Sequence, residues 1–148
     1  MSVGVFLRNE AGVRGVPAKR SFQSWIDAVP ALRRRHAEVN LLIVGTRAGR
    51  RFNREFRGKD YATNVLSFAH EPLRGQAAGL LGDIVICAPV VAREAREQGK
   101  PVRDHYAHLT VHGVLHLLGY DHQAEADAAR MERLEQRILA SLGIADPY

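Results

Sequence analysis

Apolar and polar positions alternate with a period of two over residues 2–8, where Val3, Val5 and Leu7 share one side. This pattern predicts a β-strand. A loop carrying Gly12, Gly15 and Pro17 follows. Phe22, Trp25, Ile26 and Val29 then recur at helical spacing, with Ser21 as the expected cap and Pro30 as an interruption. Residues 37–45 form a second apolar run, a strand; 47–57 reads as an amphipathic helix; 65–68 and 83–87 are two further short strands. Helices dominate beyond. One spans 89–98 and closes at Gly99, and a long one opens at Pro101 and runs to Leu118, before Gly119. The last, 124–142, places Ala128, Met131, Leu134, Ile138 and Leu142 on one face. Strands first and long helices later predict an α+β fold, a small mixed β-sheet packed with helices. There is no internal repeat, low-complexity tract or long linker, so residues 1–148 are expected to form one domain.

Composition narrows the class. With 46% hydrophobic and 25% charged residues in 148, the chain has material for a core without staples. A disulfide scaffold is excluded by the single Cys87, which ends an apolar strand and reads as core, like Trp25. No stretch has the length of a membrane span, and the first residues do not read as a signal peptide, so a cytoplasmic address is expected. Charge is uneven. The net charge is +5, but residues 1–60 hold 13 basic and 5 acidic residues, against 8 and 11 afterwards. All the basic residues but Lys19, Lys59 and Lys100 are Arg, whose guanidinium forks suit phosphate oxygens. On the helix 47–57, Arg47, Arg50, Arg51, Arg54 and Arg57 fall within about 120°. Ala48, Phe52 and Phe56 lie opposite, expected against the sheet. The stripe ends at Arg57 and Lys59 and could track a nucleic-acid backbone, with Arg50, Arg54 and Lys59 as candidate contacts. Aromatic residues make up only 7%, and no stacking platform is evident, so weak base readout is expected.

The strongest chemical signal is the run from His112 to His122, HGVLHLLGYDH. His112 and His116, four apart on a helix, project from one face. Gly119 permits a sharp turn that would return His122 to the same point. Three neutral imidazoles with one open position describe a catalytic zinc site on a long helix and its following turn. The spacing equals that of the metzincin peptidases, but their general-base Glu is replaced here by Gly113. His105 and His108 lie within about 80° of the pair; they could line the same cleft, support a ligand from behind or contact substrate, and read first as polar residues near the mouth of the site. Asp83 could bond backbone or support the site, and Asp121 could orient a ligand or shape the turn.

These residues resemble the YbeY family of endoribonucleases. Every fixed position of its motif H-G-x-L-H-L-x-G-Y-D-H is present from His112 to His122. The stretches Phe56-Arg57-Gly58-Lys59-Asp60, Thr63-Asn64-Val65-Leu66-Ser67-Phe68 and Leu81-Gly82-Asp83-Ile84-Val85-Ile86 are similar too, as is Asp146-Pro147-Tyr148. Ala69 stands where the family often has Pro, and Arg47 where it often has an acidic residue. The resemblance implies a zincin-like fold and one zinc per chain held by His112, His116 and His122, with Arg57 as the catalytic arginine. It implies cleavage of single-stranded RNA, with ribosomal RNA and the small ribosomal subunit as partners, in 3′-end maturation and ribosome quality control. No membrane or nucleotide cofactor is expected. Two readings stay open beside it: a zinc-stabilised, non-catalytic ribosome assembly factor, and a zinc hydrolase of peptides or small molecules.

Overall fold

The computed structural model describes residues 3–32, 36–70, 79–120 and 124–148. Among the described residues, four strands form one sheet: β1 (Gly4–Asn9), β2 (Glu38–Val44), β3 (Val65–Ala69) and β4 (Leu80–Cys87). Their spatial order is β1-β2-β4-β3. The first three in that order run parallel, and β3 is antiparallel on the edge. The helices are α1 (Lys19–Asp27), α2 (Thr46–Arg57), α3 (Ala88–Gln98), α4 (Val102–Leu117) and α5 (Glu125–Ser141), with a 3-10 turn at Pro30–Leu32. The fold is therefore the mixed sheet with helices that the pattern of positions predicts.

The period of two divides the sheet into two faces. Val5, Val39, Leu41, Ile43, Ile84 and Ile86 face the main core, where Phe22 and Trp25 of α1 meet edge to face with centroids 5.1 Å apart. Each such side chain stabilises the fold by about 1.5–3 kcal/mol when fully buried. The opposite face carries a smaller cluster of Val44, Leu66, Val85 and Cys87 beneath α2. Cys87 is buried, as expected of a core thiol.

Helix α4 packs against α1, α3, α5, β3 and β4, and is buried on nearly every side. Gly113 lets it approach the sheet. A Cβ there would stand 3.1 Å from both Ile84 Cδ1 and Ser67 Oγ. The helix is thus pinned at the level of its histidines.

Three local expectations change. Helix α1 begins earlier than expected, with Ala18 as its N-cap, so Ser21 lies inside it. There the Ser21 hydroxyl accepts a hydrogen bond from Arg103 Nη1 at 2.8 Å instead of capping. In α2, Ala48 and Phe52 pack on the sheet as expected, but the fully buried positions are Gly49 and Asn53, and Phe56 is 57% exposed. The cause is the close seat of Gly49 on Cys87, whose Sγ lies 2.9 Å from where a Cβ would be. That contact turns Phe56 to the flank. Strand β4 starts at Leu80 rather than at residue 83, because Gly82 already pairs with both Val39 and Ala69.

Candidate metal centre

Four imidazoles descend one face of α4. Ring centroids are 6.0 Å apart for His105 and His108, 6.2 Å for His108 and His112, and 4.7 Å for His112 and His116. The closest pair is the one at the spacing expected of two ligands to one cation. Gly119, at φ 97°, ends the helix, and the Tyr120 amide donates back to Leu115 O at 3.0 Å. The chain is redirected there, as a left-handed residue allows. His122 and Asp121 lie outside the described residues.

Glu135 on α5, fully buried, meets this row of rings from behind. Its Oε1 bonds His112 Nδ1, and its Oε2 accepts from the Tyr148 hydroxyl and pairs with His108 Nε2 at 3.1 Å. Burial alone would raise the Glu135 carboxyl. The hydrogen bonds of His108 and His112, the charge of His112 and the bond of Tyr148 together outweigh burial and hold it down at about 2. An ionised carboxylate only accepts, so His112 Nδ1 faces it as the N–H, and once the imidazole has given up its second proton Nε2 is the nitrogen whose lone pair can meet a cation. That tautomer, next to a second imidazole, fits zinc. His108, His112 and Glu135 themselves offer ligand atoms within 4.8 Å of one another, a group that could hold a metal ion.

His105 and His108 are therefore not residues of the site mouth. His105 is 3% exposed and bonds Glu94 at 2.8 Å, while His108 turns to Glu135. Both point toward carboxyl partners on neighbouring helices, the half-buried Glu94 of α3 and the fully buried Glu135 of α5, which spacing on α4 alone does not reveal. Glu135 escaped the sequence reading. Its signal was an acidic residue on the buried stripe of α5, four after Met131 and three before Ile138.

A cleft of about 670 Å³ opens beside the rings, and Arg57, Lys59, Ser67, His112, His116 and Tyr120 are among the residues that line it. Arg57 closes α2, whose C-cap Gly58 is left-handed at φ 69°. Its Nη2 donates to Ser67 O at 3.4 Å. Ser67 lies on β3, the edge strand, so the arginine reaches around the edge of the sheet to the side of α4. The Ser67 hydroxyl in turn donates to Gly113 O at 3.2 Å. Arg50 and Arg54 are placed differently. Arg50 makes a two-point bond to Asp60, 2.8 Å at each oxygen, and Arg54 stands 3.8 Å from Asp60. Neither is among the residues that line the cleft.

Asp83 lies with Val85 on the α2 face of the sheet, where it bonds Asn40 at 2.9 Å and His70 at 2.8 Å. It borders a second cavity of about 540 Å³ that Phe6, Phe52, Phe56 and Phe68 also line. This aromatic cluster, with Phe52 stacked on Phe56, joins side chains too distant in sequence to be read as a platform.

The profile of the family described as "Endoribonuclease YbeY" matches residues 8–143. The chain belongs to the YbeY endoribonuclease family. It is 57% identical over 138 residues to the endoribonuclease YbeY of Stenotrophomonas maltophilia (strain R551-3), covering 90% of this chain and 86% of that protein. It is 56% identical to that of Alkalilimnicola ehrlichii, covering 90% and 83%. The solution structure of TM1509 from Thermotoga maritima shares the fold, with a TM-score of 0.58 at 21% identity over 96% of this chain and 98% of that one. The YbeY motif fits the packing seen here. At position 113 the space between Ile84 and Ser67 has no room for a peptidase-type Glu. No helix among the described residues is long and apolar enough to cross a membrane.

Proposed function

We propose that this protein is a zinc-dependent endoribonuclease, acting as one domain, that cuts single-stranded RNA. The observation that supports this best is the shared cleft. A guanidinium and an ammonium, Arg57 and Lys59, border the same space as two imidazoles at metal-binding distance, His112 and His116. Such a space suits a phosphodiester better than a neutral peptide bond.

His112 and His116 would hold zinc together with His122, and the ion would supply Lewis acidity at the reacting phosphate. Arg57 neutralises the charge that grows on the phosphoryl oxygens. Its bond to the edge carbonyl of Ser67 orients it before RNA arrives. Lys59 holds a neighbouring phosphate as a point charge. Arg50 and Arg54 guide the strand toward the cleft from the outer flank, held in place by Asp60. The site chemistry and the family together support ribosomal RNA of the small subunit as substrate, its 3′-end maturation and ribosome quality control as roles, and the cytoplasm as location.

The test is incubation of zinc-loaded and chelated protein with single-stranded ribosomal RNA, beside the His116→Ala variant to exclude a contaminating nuclease. Cleavage is expected only with zinc and intact His116. Equal cleavage by the chelated protein or by the variant overturns the reading. Product ends, 5′-phosphate or 2′,3′-cyclic phosphate, identify the nucleophile.

A further inference from the structure

We propose that Glu135 and Tyr148 are positioning residues for the metal ligand His112, so that the segment following α5 takes part in building the active site. This inference rests on the zinc site proposed above.

Glu135 is an unusual residue to find fully buried. Among the described residues its two oxygens face three donors, divided between them: His112 on Oε1, His108 and Tyr148 on Oε2. A carboxylate so surrounded has little freedom to rotate, and its Oε1 fixes both the proton and the plane of the His112 ring. The donors come from separate elements, since His108 and His112 lie on α4 while Tyr148 lies beyond α5. Tyr148 is itself held. Its amide donates to Asp146 Oδ1 at 2.9 Å, and Gln136 Nε2 donates to both Asp146 oxygens at 3.1 and 3.2 Å. Asp146 thus ties the segment to α5 one residue beyond Glu135 and brings the phenol over the carboxylate. Nothing in the folding of α5 requires this, because Met131, Ile138 and Leu139 already supply its buried face.

The alternative use of the same atoms is a cation seated among His108, His112 and Glu135. The bonds these groups make to one another favour a support over a ligand set. A cation there would also have to displace the proton from His112 Nδ1.

The experiment compares wild type with Glu135→Gln, Tyr148→Phe and His116→Ala. Zinc affinity is read by competition with a chromophoric chelator. The tautomer of His112 is read by nitrogen-15 NMR of the folded, metal-free protein, which a merely structural role would not move. Wild type is expected to carry the His112 proton on Nδ1. Glu135→Gln is expected to bind zinc about 10–100-fold more weakly, with a mixed His112 tautomer. Tyr148→Phe, which removes one hydroxyl at a chain segment outside the core, is expected to lose about fivefold while keeping its fold. If Glu135→Gln fails to fold, Tyr148→Phe decides alone. Wild-type zinc affinity and an unchanged tautomer in the variants overturn the proposal, and so does a wild-type His112 protonated at Nε2. Zinc retained by His116→Ala but abolished by Glu135→Gln also overturns it and places the cation among His108, His112 and Glu135. A wild type that binds no zinc defeats the functional reading itself, a distinct result.

Discussion

Substituting Gly113 by Ala probes how tightly α4 is pressed on the sheet. The new methyl would lie 3.1 Å from Ile84 Cδ1, 3.1 Å from Ser67 Oγ and 3.2 Å from Ile84 Cγ2. Ile84 is fully buried and has nowhere to retreat. Ser67 is tied to Gly113 O. Overpacking of this kind costs about 1–3 kcal/mol. Replacing Gly by Ala within a helix returns about 1 kcal/mol. The expected net loss is therefore about 1 kcal/mol, a fall in Tm of about 2–4 °C for a chain of this size. Relief of the clash lifts α4 by a few tenths of an ångström, moving His112 and His116 away from Arg57, so RNA cleavage is expected to fall more than stability does. Thermal melts of the metal-free protein and single-turnover cleavage measure the two effects. A Tm raised by the full helix-propensity gain, with cleavage unchanged, would refute the close packing. Gly113→Glu, which restores the peptidase pattern, would bury a carboxylate in the same gap and is expected not to fold.

Arg57→Ala is expected to lower cleavage about 10²–10³-fold while zinc stoichiometry stays at the wild-type level; full activity in a cleavage assay would contradict its role. Asp60→Asn releases Arg50 and Arg54 at an exposed site, so stability should hardly move while RNA binding tightens and its salt dependence steepens, as filter binding across a salt series would show. Burial lowers the pKa of His105, with Lys100 and His108 adding to that shift and its partner Glu94 opposing it. Its folded value is thus below the unfolded one of about 6.5. The unfolded chain takes up the proton first, and stability is lost as pH falls from about 6.5 through the folded value. Melts of metal-free His105→Gln should show a shallower slope than wild type in that window; equal slopes would remove His105 as the cause.

Much of the fold was legible because its punctuation is local. Gly99 and Gly119 stop their helices where the sequence predicts, both at positive φ. The alternation in β1 and β2 matches the two faces of the sheet. The i, i+4 pair His112 and His116 was legible for the same reason, since its geometry needs only one helix. What escaped depends on contacts between elements far apart in the chain. Ala48 and Phe52 of α2 pack on the sheet as their spacing predicts, but the closest seat, Gly49 on Cys87, is set by a residue of a distant strand. Spacing on α4 leaves the role of His108 open, and its partner Glu135 arrives only from α5. Arg57 could be named from its surroundings in sequence, but its path around the edge of β3 to the histidines is a property of sheet order. Asp83, two residues before Val85 in β4, falls by parity on the face turned away from α4.

The proposed function requires a cation held by His112, His116 and His122, beside the cleft that Arg57, His112 and His116 line. Anomalous diffraction from crystals of the zinc-loaded protein tests this most directly. The expected result is one peak within bonding distance of those three rings, with a fourth position open to the cleft. A peak among His108, His112 and Glu135, or four protein ligands closing the coordination shell, would contradict it.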